Sequence, residues 1–248
     1  ELTTGILPPP QYFAKNAALN KKGYGAFDEV MRKGNVALSV DRFEEKAKQG
    51  ALILDVRKAD EFAKGHVANA WFIGIDGQFA PWVGALITDL HQPIILVTPA
   101  GREEETVKRL SRVGYDNCLG YLQGGFDAWK LAGKAVGTIT SITAAEFASA
   151  YEKNNITTLD VRKPGEYDAK HLLHVDAKPL DFITDWQGDL DKNKNYYIHC
   201  AGGYRSMIAA SILKAKGYKN LIDVAGGFGA ITKTGLPASA YEVTCANA

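Results

Sequence analysis

Cysteine is scarce in this chain: three thiols in 248 residues, Cys118, Cys200 and Cys245. An odd number with no paired spacing argues against a disulfide framework or a zinc site, and points to a reducing, cytoplasmic home. Long apolar runs are missing too. No stretch approaches the roughly 20 residues that cross a bilayer, so the chain is expected to be soluble with no membrane partner. Neither sign of charge dominates. The 29 basic and 28 acidic residues are interspersed and leave a formal net charge of +1, so no basic face is set aside for nucleic acid. The chain opens on Glu1 with no charged-then-apolar leader behind it, and is expected to be a processed or truncated piece.

What is present is concentrated at one thiol. Residues 198–206 read Ile-His-Cys-Ala-Gly-Gly-Tyr-Arg-Ser, an apolar run ending at Cys200, a glycine-rich turn, and then a helical pattern. Two glycines let successive backbone N–H groups curl towards the sulfur. A helix starting near Arg205 aims its positive end at the same point. Because only the thiolate is a useful nucleophile, Cys200 is the candidate nucleophile, with Arg205 beside it. Arg205 is an odd choice for a first helical turn, where the dipole is already positive, and predicts a compensating anion, either a bound ligand or the Cys200 sulfur itself.

Hydrophobic residues make up 46% of the chain, enough for one large domain or two of ordinary size, and an internal repeat decides for two. Leu54-Asp55-Val56-Arg57 recurs as Leu159-Asp160-Val161-Arg162, and Glu61 and His66 recur as Glu166 and His171, all at an offset of 105. Gly114-Tyr115 matches Gly217-Tyr218, and Gly124-Gly125-Phe126 matches Gly226-Gly227-Phe228. In the second copy the strand-like runs are 157–161, 196–200 and 221–224, and the intervening stretch 205–216 places Met207, Ile208, Ser211, Ile212 and Ala215 on one helical side. Apolar runs separated by helices predict two tandem α/β domains, residues 38–136 and 137–248, each a mostly parallel sheet flanked by helices. Residues 1–37 belong to neither copy.

The first copy tests the assignment. Its loop reads Val97-Thr98-Pro99-Ala100-Gly101-Arg102-Glu103-Glu104, with Thr98 at the position of Cys200. A hydroxyl cannot replace a thiol as nucleophile, Pro99 removes one N–H, and Glu103 and Glu104 replace Arg205 and Ser206. The first domain is therefore expected to be silent. Repetition of Asp160, Arg162, Glu166 and His171 in this silent copy marks them as structural support. His199 is expected to face away from Cys200 across the sheet.

Asp-Val-Arg, a glutamate four residues on, a histidine five beyond it, the cysteine loop and Gly-Gly-Phe together resemble the rhodanese (thiosulfate sulfurtransferase) superfamily over residues 38–248. The most specific element is Cys200-Ala201-Gly202-Gly203-Tyr204-Arg205-Ser206, supported by 171–175 and Lys178-Pro179-Leu180. The resemblance implies that Cys200 takes sulfane sulfur from thiosulfate or glutathione persulfide, holds it as a persulfide cradled by Ala201, Gly202, Gly203, Tyr204 and Ser206, and passes it to cyanide, sulfite, glutathione or another thiol.

Two alternatives remain at this point. Cysteine-dependent phosphatases place five residues between cysteine and arginine, whereas Ala201 to Tyr204 is four, a better fit to one sulfur atom. A scaffolding role is the other. Leu2 to Pro10 and Asn20-Lys21-Lys22-Gly23-Tyr24 resemble the end of the metallo-β-lactamase-fold domain in persulfide dioxygenase–rhodanese fusions, which implies an upstream dioxygenase as partner. The His/Asp metal motif of such a dioxygenase is not in these residues, so neither metal nor cofactor is expected. Cys245, in the tail 238–248, reads as an exposed spectator, with sulfur relay as the alternative.

Overall fold

A computed structural model describes residues 27–153 and 156–239. Expectations for residues 1–26 and for Cys245 lie outside them. The chain forms two compact units, one built from residues up to Lys58 together with Ile73–Val136, the other from Ala59–Phe72 and Gly137 onward.

Each copy of the repeat supplies one five-stranded sheet. The first runs in the order Ala37–Leu38, Cys118–Leu122, Ile94–Val97, Leu52–Asp55, Trp71–Phe72. The second runs Asp176–Ala177, Thr157–Asp160, Asn195–His199, Asn220–Val224, Thr140–Ile142. Every strand pair of the second sheet is parallel, as are the pairs joining the first four strands of the first. Ile94–Val97 is buried at every position, the signature of a strand covered on both faces rather than half exposed. The expected α/β class with flanking helices is the observed one, and the second-copy strands fall within a residue of their predicted bounds.

Helix Tyr204–Ala215 departs from the one-sided stripe expected of it. Residues 206–213 are all buried, so the helix is covered all round rather than amphipathic. The small residues Ala209, Ala210 and Ser211 permit this. Ser211 donates its hydroxyl to the Ile208 carbonyl at 2.7 Å and accepts from the Phe72 N–H at 2.9 Å, so its polarity is satisfied inside. Phe147, Leu172, Val175, Val224 and Ile231 form a core on the second sheet.

Candidate active site

The central strand Asn195–His199 delivers Cys200 at its C-terminal end, and helix Tyr204–Ala215 begins four residues later. The turn between them needs glycine: Gly203, the helix N-cap, lies at φ 100°, a left-handed conformation that other residues rarely adopt. That turn brings the Gly203 N–H to 3.1 Å from the Cys200 sulfur, which it serves as donor. Cys200 is 1% exposed, while Ala201 and Gly202 in front of it face solvent. No acidic residue occupies the first turn of this helix. Its positive end is left for the sulfur.

The Gly-Gly-Phe element lies beneath the loop. Phe228 and Gly229 donate their N–H groups to the Cys200 and Ala201 carbonyls at 2.6 and 3.0 Å. A Cβ on Gly227 would stand 2.3 Å from the Cys200 oxygen, so this close approach requires glycine. The Phe228 ring carries the Arg162 guanidinium 3.9 Å from its centre. Arg162 in turn grips Asp160 through its Nε and Nη2 (2.9 and 2.6 Å to Oδ2), and donates to the Lys170 carbonyl at 2.8 Å. This buried, multiply bonded pair ties strand end, turn and ring into one support under the loop. His171 does not touch the sulfur loop in these contacts; its Nδ1 sits 2.8 Å from the Tyr167 carbonyl and its ring stacks on Tyr167.

The anion that Arg205 meets is Glu166, neither a bound ligand nor the Cys200 sulfur expected of it. Arg205 Nη1 and Nη2 bond Oε2 and Oε1 at 2.5 and 2.8 Å. Hydrogen bonding to Arg205 holds the Glu166 carboxyl below its usual range, and raises Arg205 above its own. Glu166 also accepts from the Lys163 N–H at 3.1 Å. Sequence placed Glu166 among the supports; its partnership with Arg205, 39 residues away, carries no local signal.

His199 is fully buried, with both ring nitrogens lacking a hydrogen-bond partner, and burial pushes its pKa down. Its ring packs against Phe147 and Phe228, with Nε2 3.9 Å from Asp160 Oδ2. Asp223 carries no signal in the sequence. It is the penultimate residue of the neighbouring strand Asn220–Val224, is 3% exposed, and accepts from Ser141 at 3.0 Å; burial raises its pKa. With Ser141, Gly202, Gly203, Tyr204 and Met207 it lines a pocket of about 550 Å³ within the second unit. Cys118 is buried, its thiol pushed up to about 12 by that burial.

The corresponding loop of the first unit is built differently. Helix Glu103–Ser111 opens on three glutamates, and Glu103 turns its carboxylate back. Oε1 accepts from the Gly101 N–H at 3.2 Å and from the Thr98 hydroxyl at 3.3 Å. Gly101 stands three residues after Thr98, as Gly203 stands three after Cys200. The same N–H that meets sulfur in one loop meets a glutamate in the other.

Residues 39–132 and 143–234 each match the rhodanese-like domain. The chain belongs to the rhodanese family. Among curated rhodanese relatives, the tRNA sulfurtransferase of Haemophilus ducreyi is 34% identical over 91 residues, 35% of this chain and 19% of that protein. Uncharacterized protein YqhL of Bacillus subtilis is 30% identical over 88 residues, 36% of this chain and 68% of that protein. The chain thus spans about a fifth of the tRNA sulfurtransferase and two thirds of YqhL. Among solved structures, a rhodanese-like domain protein from Staphylococcus aureus shows 32% identity and a TM-score of 0.38 over 41% of this chain and 100% of that one. A thiosulfate sulfurtransferase from Pseudomonas aeruginosa shows 19% identity and a TM-score of 0.36 over 84% of this chain and 44% of that one. Among the described residues, no group of three or more His, Cys, Asp or Glu side chains is gathered as for a metal, and no helix is long and apolar enough to cross a membrane.

Proposed function

We propose that this chain is a sulfurtransferase that moves sulfane sulfur through a persulfide on Cys200, with chemistry confined to the second unit. The observation that carries this reading is the Gly203 N–H on the Cys200 sulfur at the start of an acid-free helix. Charge that develops on sulfur meets donors already aimed at it, as an oxyanion hole serves oxygen.

The steps balance without any added oxidant. Cys200 thiolate attacks the outer sulfur of the donor, the donor's S–S bond breaks, and the electron pair leaves on sulfite or on a thiolate. An acceptor such as cyanide or a thiolate then attacks the outer sulfur of the persulfide, and the electron pair returns to Cys200. The loop Ala201–Ser206 holds the added sulfur, Arg205 borders it, and Asp160, Arg162 and His171 hold the frame.

Intact mass tests the reading. Incubated with thiosulfate or a thiol persulfide, the chain should gain one sulfur, located on Cys200 and removed by cyanide. Cys200→Ser should gain none and turn over no acceptor. Transfer that survives in Cys200→Ser, or a wild-type chain that no donor loads, sinks it.

A further inference from the structure

A rhodanese loop that takes sulfur from thiosulfate must tolerate two negative charges at its mouth. Cys200 thiolate forms a bond to the outer sulfur, the S–S bond breaks, and the pair departs on sulfite, so the dianion is present before and after the step. A thiol persulfide imposes less: the same bond breaks and one thiolate leaves, to be protonated by solvent. The first donor needs a cation at the reacting end, and the second does not.

The one cation placed by this loop, Arg205, is spoken for. Both of its terminal nitrogens are bonded to the two oxygens of Glu166 in a fork-to-fork pair, the strongest and most directional arrangement open to a guanidinium. The Arg205 side chain is 14% exposed and that of Glu166 is 37% exposed, so the carboxylate stands on the solvent side. Glu166 is itself fixed by the Lys163 N–H in the first turn of helix Pro164–Ala169. The pair presents no net charge to an arriving donor.

We infer that Glu166 is a specificity-determining residue, committing the Cys200 site to thiol persulfides and against donors whose sulfane sulfur is joined to an oxyanion. This rests on the sulfurtransferase reading above. Glu166 acts by cancelling Arg205 rather than by touching the reacting atoms.

The experiment compares thiosulfate with the persulfide of an uncharged thiol as donors to wild type, Glu166→Gln and Glu166→Asp, with cyanide as acceptor. Wild type should favour the persulfide in kcat/KM. Glu166→Gln keeps an oxygen to accept from Lys163 but frees the Arg205 charge, and should raise kcat/KM for thiosulfate about tenfold while the persulfide stays within about twofold. The gain should shrink with added salt, and Glu166→Asp should keep the wild-type ratio. A parallel loss with both donors in a folded Glu166→Gln would make Glu166 merely structural and overturn the inference. Should that variant fail to fold, the wild-type ratio decides: thiosulfate used as well as the persulfide overturns it. Wild type loaded by neither donor sinks the sulfurtransferase reading instead.

Discussion

Two loops of one ancestry sit at the ends of equivalent strands, and they solve the same electrostatic problem with different atoms. Both lead into a helix whose first N–H groups have no partner within the helix. In the first unit the chain satisfies that end itself, with Glu103 bonded to Gly101 and Thr98 and two more glutamates behind it. In the second unit the first turn is Tyr204-Arg205-Ser206, and the loop N–H of Gly203 meets the Cys200 sulfur. The first loop therefore differs from the second by more than a missing cysteine. Its cradle is already full.

The most drastic way to break that contrast is to empty the first cradle and give it a thiol. Thr98→Cys alone should gain no sulfur from a donor when Cys200 is replaced by Ser. Adding Glu103→Gln should give slow but measurable loading by intact mass, since the Gly101 N–H is then left for the thiol. Loading by the single variant would show that Glu103 does not occupy the site.

A smaller effect separates the two glycine clamps. Gly125 and Gly227 both have positive φ, 62° and 53°, so alanine strains either. At Gly227 the new Cβ also meets the Cys200 oxygen at 2.3 Å, whereas at Gly125 the Thr98 carbonyl oxygen lies 3.8 Å away. Urea unfolding should show Gly227→Ala losing about 1–3 kcal/mol more than Gly125→Ala, and only the former should depress sulfur transfer. Equal losses would remove the distinction.

The smallest effect is a pH dependence particular to the second unit. Arg205 holds the Glu166 carboxyl below its usual value of 4.5, so the folded state binds that proton less readily than the unfolded chain. The stabilisation is present above the usual carboxylate range and is lost as pH falls through the lowered folded value. The stability gap between wild type and Glu166→Gln should hold steady from pH 7 to about 5.5 and close towards pH 3, at less than about 1 kcal/mol because Glu166 is partly solvated. A gap that widens on acidification contradicts the pairing.

The repeat made the two sheets legible, because period and order survive where identity does not. Cys200, its glycine turn and the helix start could be read from a dozen adjacent residues, since nests and helix ends are local objects. Glu166 on Arg205, Arg162 on Phe228, and Asp223 beside the loop could not. Those pairs join residues from different strand ends, brought together only by the parallel crossovers. The buried face of helix Tyr204–Ala215 was misread for a related reason: alanines and serines are neutral in a hydrophobicity pattern, and only packing shows that they are inside.

The clamp under the loop has one more consequence. With the carbonyls of Cys200 and Ala201 both held by N–H groups of Phe228 and Gly229, those two peptide planes cannot rotate to turn an oxygen towards the sulfur. Water around a free thiolate must reorient each time charge moves on or off it. Here the surrounding dipoles are fixed beforehand, so under the proposed mechanism each transfer of sulfur would proceed with little reorganisation of its surroundings.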